Sequence, residues 1–213
     1  MHRQRLGPVD SGLEHKDWQK LKRLTTPAKV QDFVNSLPFN FADGYSIDRS
    51  VKGILKKGKA DCAGGAVLAA TLLWMQGRKP MLLDIKAPHP RDYDHVVAIF
   101  KEGKYWGAIS KTNHSVLRYR EPVYRSVREL AMSYFHEYFL PSGEKTMRSF
   151  SKPFDLSRFG TSWLTSKDAV IDIIHELDNS PHTDILTKTQ EKRLRKADYI
   201  ERMAGDIKEW KGR

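Results

Sequence analysis

The apolar positions of the chain follow two different periods. From Ala63 to Trp74 they run almost without interruption, Ala-Gly-Gly-Ala-Val-Leu-Ala-Ala-Thr-Leu-Leu-Trp, which predicts a helix buried on all sides. Asp61 stands where an N-cap would, and Gly77 followed by Pro80 marks the stop. An earlier helix starts at Thr26, with Pro27 in its first turn and Val30, Phe33, Val34 and Leu37 on one face; Pro38 ends it. Residues 39–50 read as a loop, and a short segment over Ser50–Leu55 leads into the basic turn Lys56–Lys59.

Beyond Pro80 the period shortens. Met81–Lys86, His95–Phe100 and Tyr105–Ile109 read as strands, the last two joined by a tight turn at Lys101–Lys104. A buried helix followed by an antiparallel meander predicts an α+β fold rather than a doubly wound sheet. The signals then become helical again. Ser126-Val127-Arg128-Glu129 is a capping-box pattern ahead of Leu130, Ala131, Tyr134, Phe135 and Tyr138. Thr165–Asp168 precedes Val170, Ile173, Ile174 and Leu177, and Leu194, Ala197, Ile200, Met203, Ala204 and Ile207 predict one amphipathic helix in the tail. The expected organisation is a polar lead-in over 1–24, a core domain over 25–160 and a helical extension over 161–213.

Composition narrows the chemistry. The 213 residues suffice for one domain with a real core. The single cysteine excludes an internal disulfide framework and a Cys-rich zinc site. His89, His136, His175 and His182 lack ligand spacing, and no Gly-rich phosphate loop is present, so neither metal nor cofactor is expected. Residues Met1–Pro8 lack the apolar core of a signal peptide, and Ala66–Met75 is too short to cross a bilayer; a cytoplasmic protein without membrane association is expected. The 37 Lys and Arg against 26 Asp and Glu give a net charge of +11. An acidic substrate or anionic partner surface would use that charge. Nucleic acid is not expected, because no nucleic-acid-binding signature accompanies it.

One pair of residues stands out. Cys62 opens the buried helix, where amide groups and the positive dipole end favour a thiolate. The charge of Asp61 beside it opposes that effect. His95 opens a strand 33 residues later, so a nucleophile and a base begin neighbouring elements.

The segments Lys59-Ala60-Asp61-Cys62-Ala63-Gly64-Gly65-Ala66, Asp92–Phe100 and Gly103-Lys104-Tyr105-Trp106 resemble the core of the transglutaminase-like, papain-related cysteine enzymes over roughly Thr26–Asn113. Lys111-Thr112-Asn113 and Leu117–Arg125 are similar to bacterial transglutaminase-like proteins. The resemblance implies a Cys-bearing helix packed on a small antiparallel sheet, with helices after it. It also implies acyl transfer on a peptide or protein substrate. Cys62 would attack an amide as a thiolate, His95 would carry the proton, and a thioester would be resolved by water or an amine. The family's third residue is an Asp on the next strand, but no carboxylate lies between Glu102 and Glu121. The expected place falls near Ser110; Asn113, three residues on, is the better chemical substitute for an acceptor of the imidazole N–H. Trp106 and His114 are candidate walls of a substrate cleft. Loss of the third residue leaves a second expectation, an inactive fold that binds a peptide or polyanion.

Overall fold

The structure, a computed structural model, describes residues 5–42 and 47–209. Residues 43–46 of the expected 39–50 loop, Met1–Gln4 of the lead-in and the last four residues lie outside these. The chain is α+β. It opens with five helices: α1 Pro8–Ser11, α2 His15–Leu21, α3 Pro27–Ser36, α4 Val51–Lys57 and α5 Cys62–Met75. Their starts follow local chemistry. Thr26 accepts from the Lys29 amide, Ser50 from Gly53 and Asp61 from Gly64, each satisfying an N–H that the helix leaves unpaired.

The meander then forms as β1 Met81–Lys86, β2 His95–Glu102 and β3 Tyr105–Ile109. It belongs to a larger sheet. Strands β4 Arg120–Tyr124, β5 Ser149–Ser151, β6 Phe154–Asp155 and β7 His182–Asp184 join it, giving seven strands, six in the order β4-β3-β2-β1-β5-β7 and β6 beside β5 on β1. All pairings are antiparallel; β5 takes the Ile85–Lys86 end of β1 and β6 takes the Met81–Leu82 end.

Alternation along β2 divides the core in two. Val96, Ala98 and Phe100 pack with α5, Val30 and Val34 of α3 and Val51 and Ile54 of α4. Val97 and Ile99 face the opposite way, onto Leu130 and Ala131 of α6 (Val127–Met132) and onto Tyr134 and Phe135 just beyond it. The expected helical stripe through Tyr138 is therefore interrupted: α6 stops at Met132 and a 3-10 turn spans Phe135–Glu137, yet the same side chains are buried.

The lead-in and the extension share this core. Leu6 and Leu21 enter the α5 side, as do Val170, Ile173 and Leu177 of α7 (Lys167–Asp178). The expected single tail helix is two short ones, α8 Lys188–Lys192 and α9 Tyr199–Gly205. Asp198 starts α9 by accepting from the Ile200 and Glu201 amides, so the chain turns a new helix there instead of extending the old one. No helix among the described residues is long and apolar enough to cross a membrane.

Candidate active site

Cys62 and His95 line one cavity of about 990 Å³. The first turn of α5 supplies the sulfur and the first residue of β2 supplies the ring. Both elements reach the cavity because α5 packs across β2 near the start of that strand. The Val96 backbone, one residue past His95, hydrogen-bonds the Cys62 sulfur. Gly65 makes the crossing close: a Cβ there would sit 2.3 Å from Lys111 Cβ. No methyl group fits between α5 and the chain leaving β3.

The imidazole is fixed by Ser110. His95 Nε2 lies 2.8 Å from Ser110 Oγ, and that hydroxyl donates to the Leu117 carbonyl at 2.6 Å. With its own proton committed, the Ser110 oxygen accepts, so Nε2 carries the imidazole hydrogen and Nδ1 is the bare nitrogen of the neutral ring. Leu117 has φ 60°, a left-handed backbone costing roughly 1–3 kcal/mol for a leucine, in the residue whose carbonyl receives that hydroxyl. Gln31 of α3 holds the Ser110 backbone from behind, accepting from its amide and donating to its carbonyl at 2.9 Å each. Tyr134 meets the ring edge-on at 6.3 Å.

Both groups are neutral at pH 7. Burial pushes the Cys62 thiol up to about 12, and the Asp61 charge adds to this; the Val96 and Ala63 backbone and Arg49 pull less strongly the other way. Of the opposed effects at the start of α5, burial and the Asp61 charge raise the thiol more than the backbone N–H groups lower it. Asp61 is itself compensated by Arg49, whose Nε and Nη2 reach its Oδ2 at 2.7 and 2.6 Å. Burial brings His95 down to about 4; the Leu117 carbonyl opposes this, and His114 and Arg120 reinforce it.

The other candidates separate. Ser110, at the strand position, makes the imidazole contact; Asn113 lies in the cavity wall, and its backbone carbonyl accepts from Glu209. His114 lines the cavity, its Nδ1 3.3 Å from the Gly205 carbonyl, with burial lowering its pKa. Trp106 does not line it. Its register partner is Lys101, near the Gly103 turn, and the Lys101 ammonium sits 4.5 Å over its ring, so it belongs to the far end of the hairpin. That places the expected cleft wall elsewhere: in the C-terminal segment, where Tyr199, Arg202, Met203, Asp206 and Lys208 line the cavity. The Leu194–Ile207 spacing predicted a helix there, and nothing local showed where it docks.

The cavity is acidic. Asp61, Asp84, Asp92, Asp94, Glu137, Asp178 and Asp206 face Arg49, Arg202 and Lys208, so the net positive charge of the chain lies on other surfaces. Asp84, Asp94 and Asp178 are the one carboxylate group close enough for metal binding among the described residues. Lys86 pairs with all three and already supplies a cation there. Asp84 also accepts from His182 at 3.2 Å. No family model matches the chain, and no curated protein matches it.

Proposed function

We propose that the chain is a transglutaminase-like cysteine amide hydrolase or acyltransferase, acting on peptide or isopeptide amides through a thioester on Cys62. The observation that carries this reading is the His95 ring, held at Nε2 by Ser110 at 2.8 Å, in the same cavity as the only thiol. From a neutral pair, the thiol proton passes to Nδ1 as sulfur bonds the amide carbon. The carbonyl oxygen takes the negative charge beside the first-turn amides of α5. Collapse breaks the C–N bond, and the imidazolium gives its proton to the departing amine. Water or a second amine, deprotonated by the same nitrogen, then releases the acyl group and restores the thiol.

A second reading is favoured by Ser110, rather than a carboxylate, holding the His95 ring, together with burial that pushes the thiol up: the cleft binds a peptide and performs no chemistry. A peptidyl acyloxymethyl ketone separates the two. Catalysis predicts stoichiometric labelling of Cys62 at pH 7, falling about 10²–10⁴-fold in His95→Gln. Absence of labelling in both proteins supports the binding reading. Equal labelling of both would mean that the sulfur acts without His95, which contradicts the proposed pair.

A further inference from the structure

The segment following Lys196 is attached to the cleft in an unusual way. Residues 197–209 cross from one rim to the other. At one end the Ala197 amide donates to the Gly143 carbonyl at 2.8 Å. Midway the Ala204 carbonyl accepts from Ser115 Oγ at 2.6 Å, and the Ile207 carbonyl accepts from the Ser115 amide at 2.8 Å. At the far end Glu209 is held three ways. Its amide donates to the Asn113 carbonyl, its Oε1 accepts from the Phe39 amide at 2.7 Å, and its Oε2 lies 3.4 Å from the Lys111 ammonium. Lys111 is 2% exposed, and its other contact is the Leu37 carbonyl at 2.5 Å.

These anchors are polar, while the large apolar side chains between them stay in solvent: Tyr199, Ile200, Met203 and Ile207 are all more than half exposed. A segment that buries so little apolar surface opens locally, without unfolding what it covers. The latch at Glu209 is different, because leaving would strand a buried ammonium. Among the described residues, one wall of the cavity thus hangs on hydrogen bonds and the Glu209–Lys111 ion pair, and Gly205 fits only because it lacks a side chain: a Cβ there would lie 2.9 Å from the Phe139 ring.

We propose that residues 197–209 form a detachable strap, latched by Glu209 on Lys111 and the Phe39 amide, that controls how large a molecule reaches Cys62. The strap gates access whether or not Cys62 is catalytic, so its test is separate from that of the chemistry. Because Cys62 is the only thiol, its alkylation reads access directly. The full chain, Glu209→Gln and Gly205→Leu are treated with iodoacetamide and with a maleimide carried on a bulky polymer, while hydrogen exchange follows the amides of 199–207 and of α5. The strap predicts that both variants lose protection over 199–207 and keep it in α5. It also predicts that the bulky reagent reacts about tenfold faster with them, and iodoacetamide much less so. Retained protection over 199–207 in both variants would overturn the latch. Loss of protection without faster bulky alkylation would overturn the gate. Loss of α5 protection at the same time would show the segment to be part of the core.

Discussion

Helices α5 and α9 both border the cleft, and different forces hold them. Twelve of the fourteen residues of α5 are buried, from Ala63 through Met75, whereas Gly205 alone is buried in α9. The first is fixed by apolar burial on the sheet, the second by hydrogen bonds to loops. The thiol therefore sits on a floor that cannot shift without unfolding the molecule, beneath a wall that can move alone. A reaction that needs a set distance between sulfur and imidazole, and an entry for a chain-like substrate, uses both properties.

The sharpest way to break this contrast is to cut into each helix. Leu68→Ala, at a site with 0% exposure, is expected to cost about 2–5 kcal/mol in urea unfolding. A loss below about 1 kcal/mol would mean that the floor is not the rigid region. Next comes pH. The His95 ring falls from an ordinary 6.5 to about 4 in the folded chain, so the unfolded state binds a proton first as pH drops. The stability this contributes is complete above pH 6.5 and is lost as pH falls toward 4, roughly 3 kcal/mol in all. His95→Gln should flatten that part of the profile. Cys62 acts at the opposite end: its raised thiol contributes stability below pH 9 that is lost as pH rises toward 12.

Ser110→Ala sharpens the comparison within the site. It leaves the buried Nε2–H without its hydroxyl partner, at about 1–3 kcal/mol in stability, and frees the ring to change tautomer. Ketone labelling of Cys62 should fall at least about tenfold, the scale of one lost hydrogen bond of that strength. Asn113→Ala should leave labelling nearly unchanged, and the reverse ranking would restore Asn113 as the orienting group. The smallest effect belongs to the strap: Ile200→Ser, at 77% exposure, should change unfolding by less than about 0.5 kcal/mol.

The parts legible in the sequence were those specified by near neighbours. Asp61 before an apolar run predicted both the cap and the burial of α5, and the Gly103 turn predicted the β2–β3 hairpin. Strands β5, β6 and β7 were not legible. Each has two or three residues, too few for a period to show; β5 and β6 exist because β1 offers its free edge to chain 60 or more residues away, and β7 because it adds to β5. Cys62 and His95 were found because each opens an element with its own signal. Chemical aptitude favours Asn113, since an amide oxygen is the better acceptor in general, but the fold gives the imidazole contact to Ser110. The register that pairs Ala98 with Ile109 places Ser110 beside the ring, and the chain has already left the sheet at Asn113. Glu209 was invisible for the same reason as the short strands: its partners, Phe39 and Lys111, are brought to it only by the fold.

The central claim is a neutral imidazole that keeps its hydrogen on the Ser110 side and offers Nδ1 to the thiol. Nitrogen-15 NMR of the His95 ring between pH 4 and 8 tests it most directly. The account predicts a protonated Nε2 and an unprotonated Nδ1 at pH 7, with the ring charging only near pH 4. A ring already charged at pH 7, or one carrying its hydrogen on Nδ1, would contradict it.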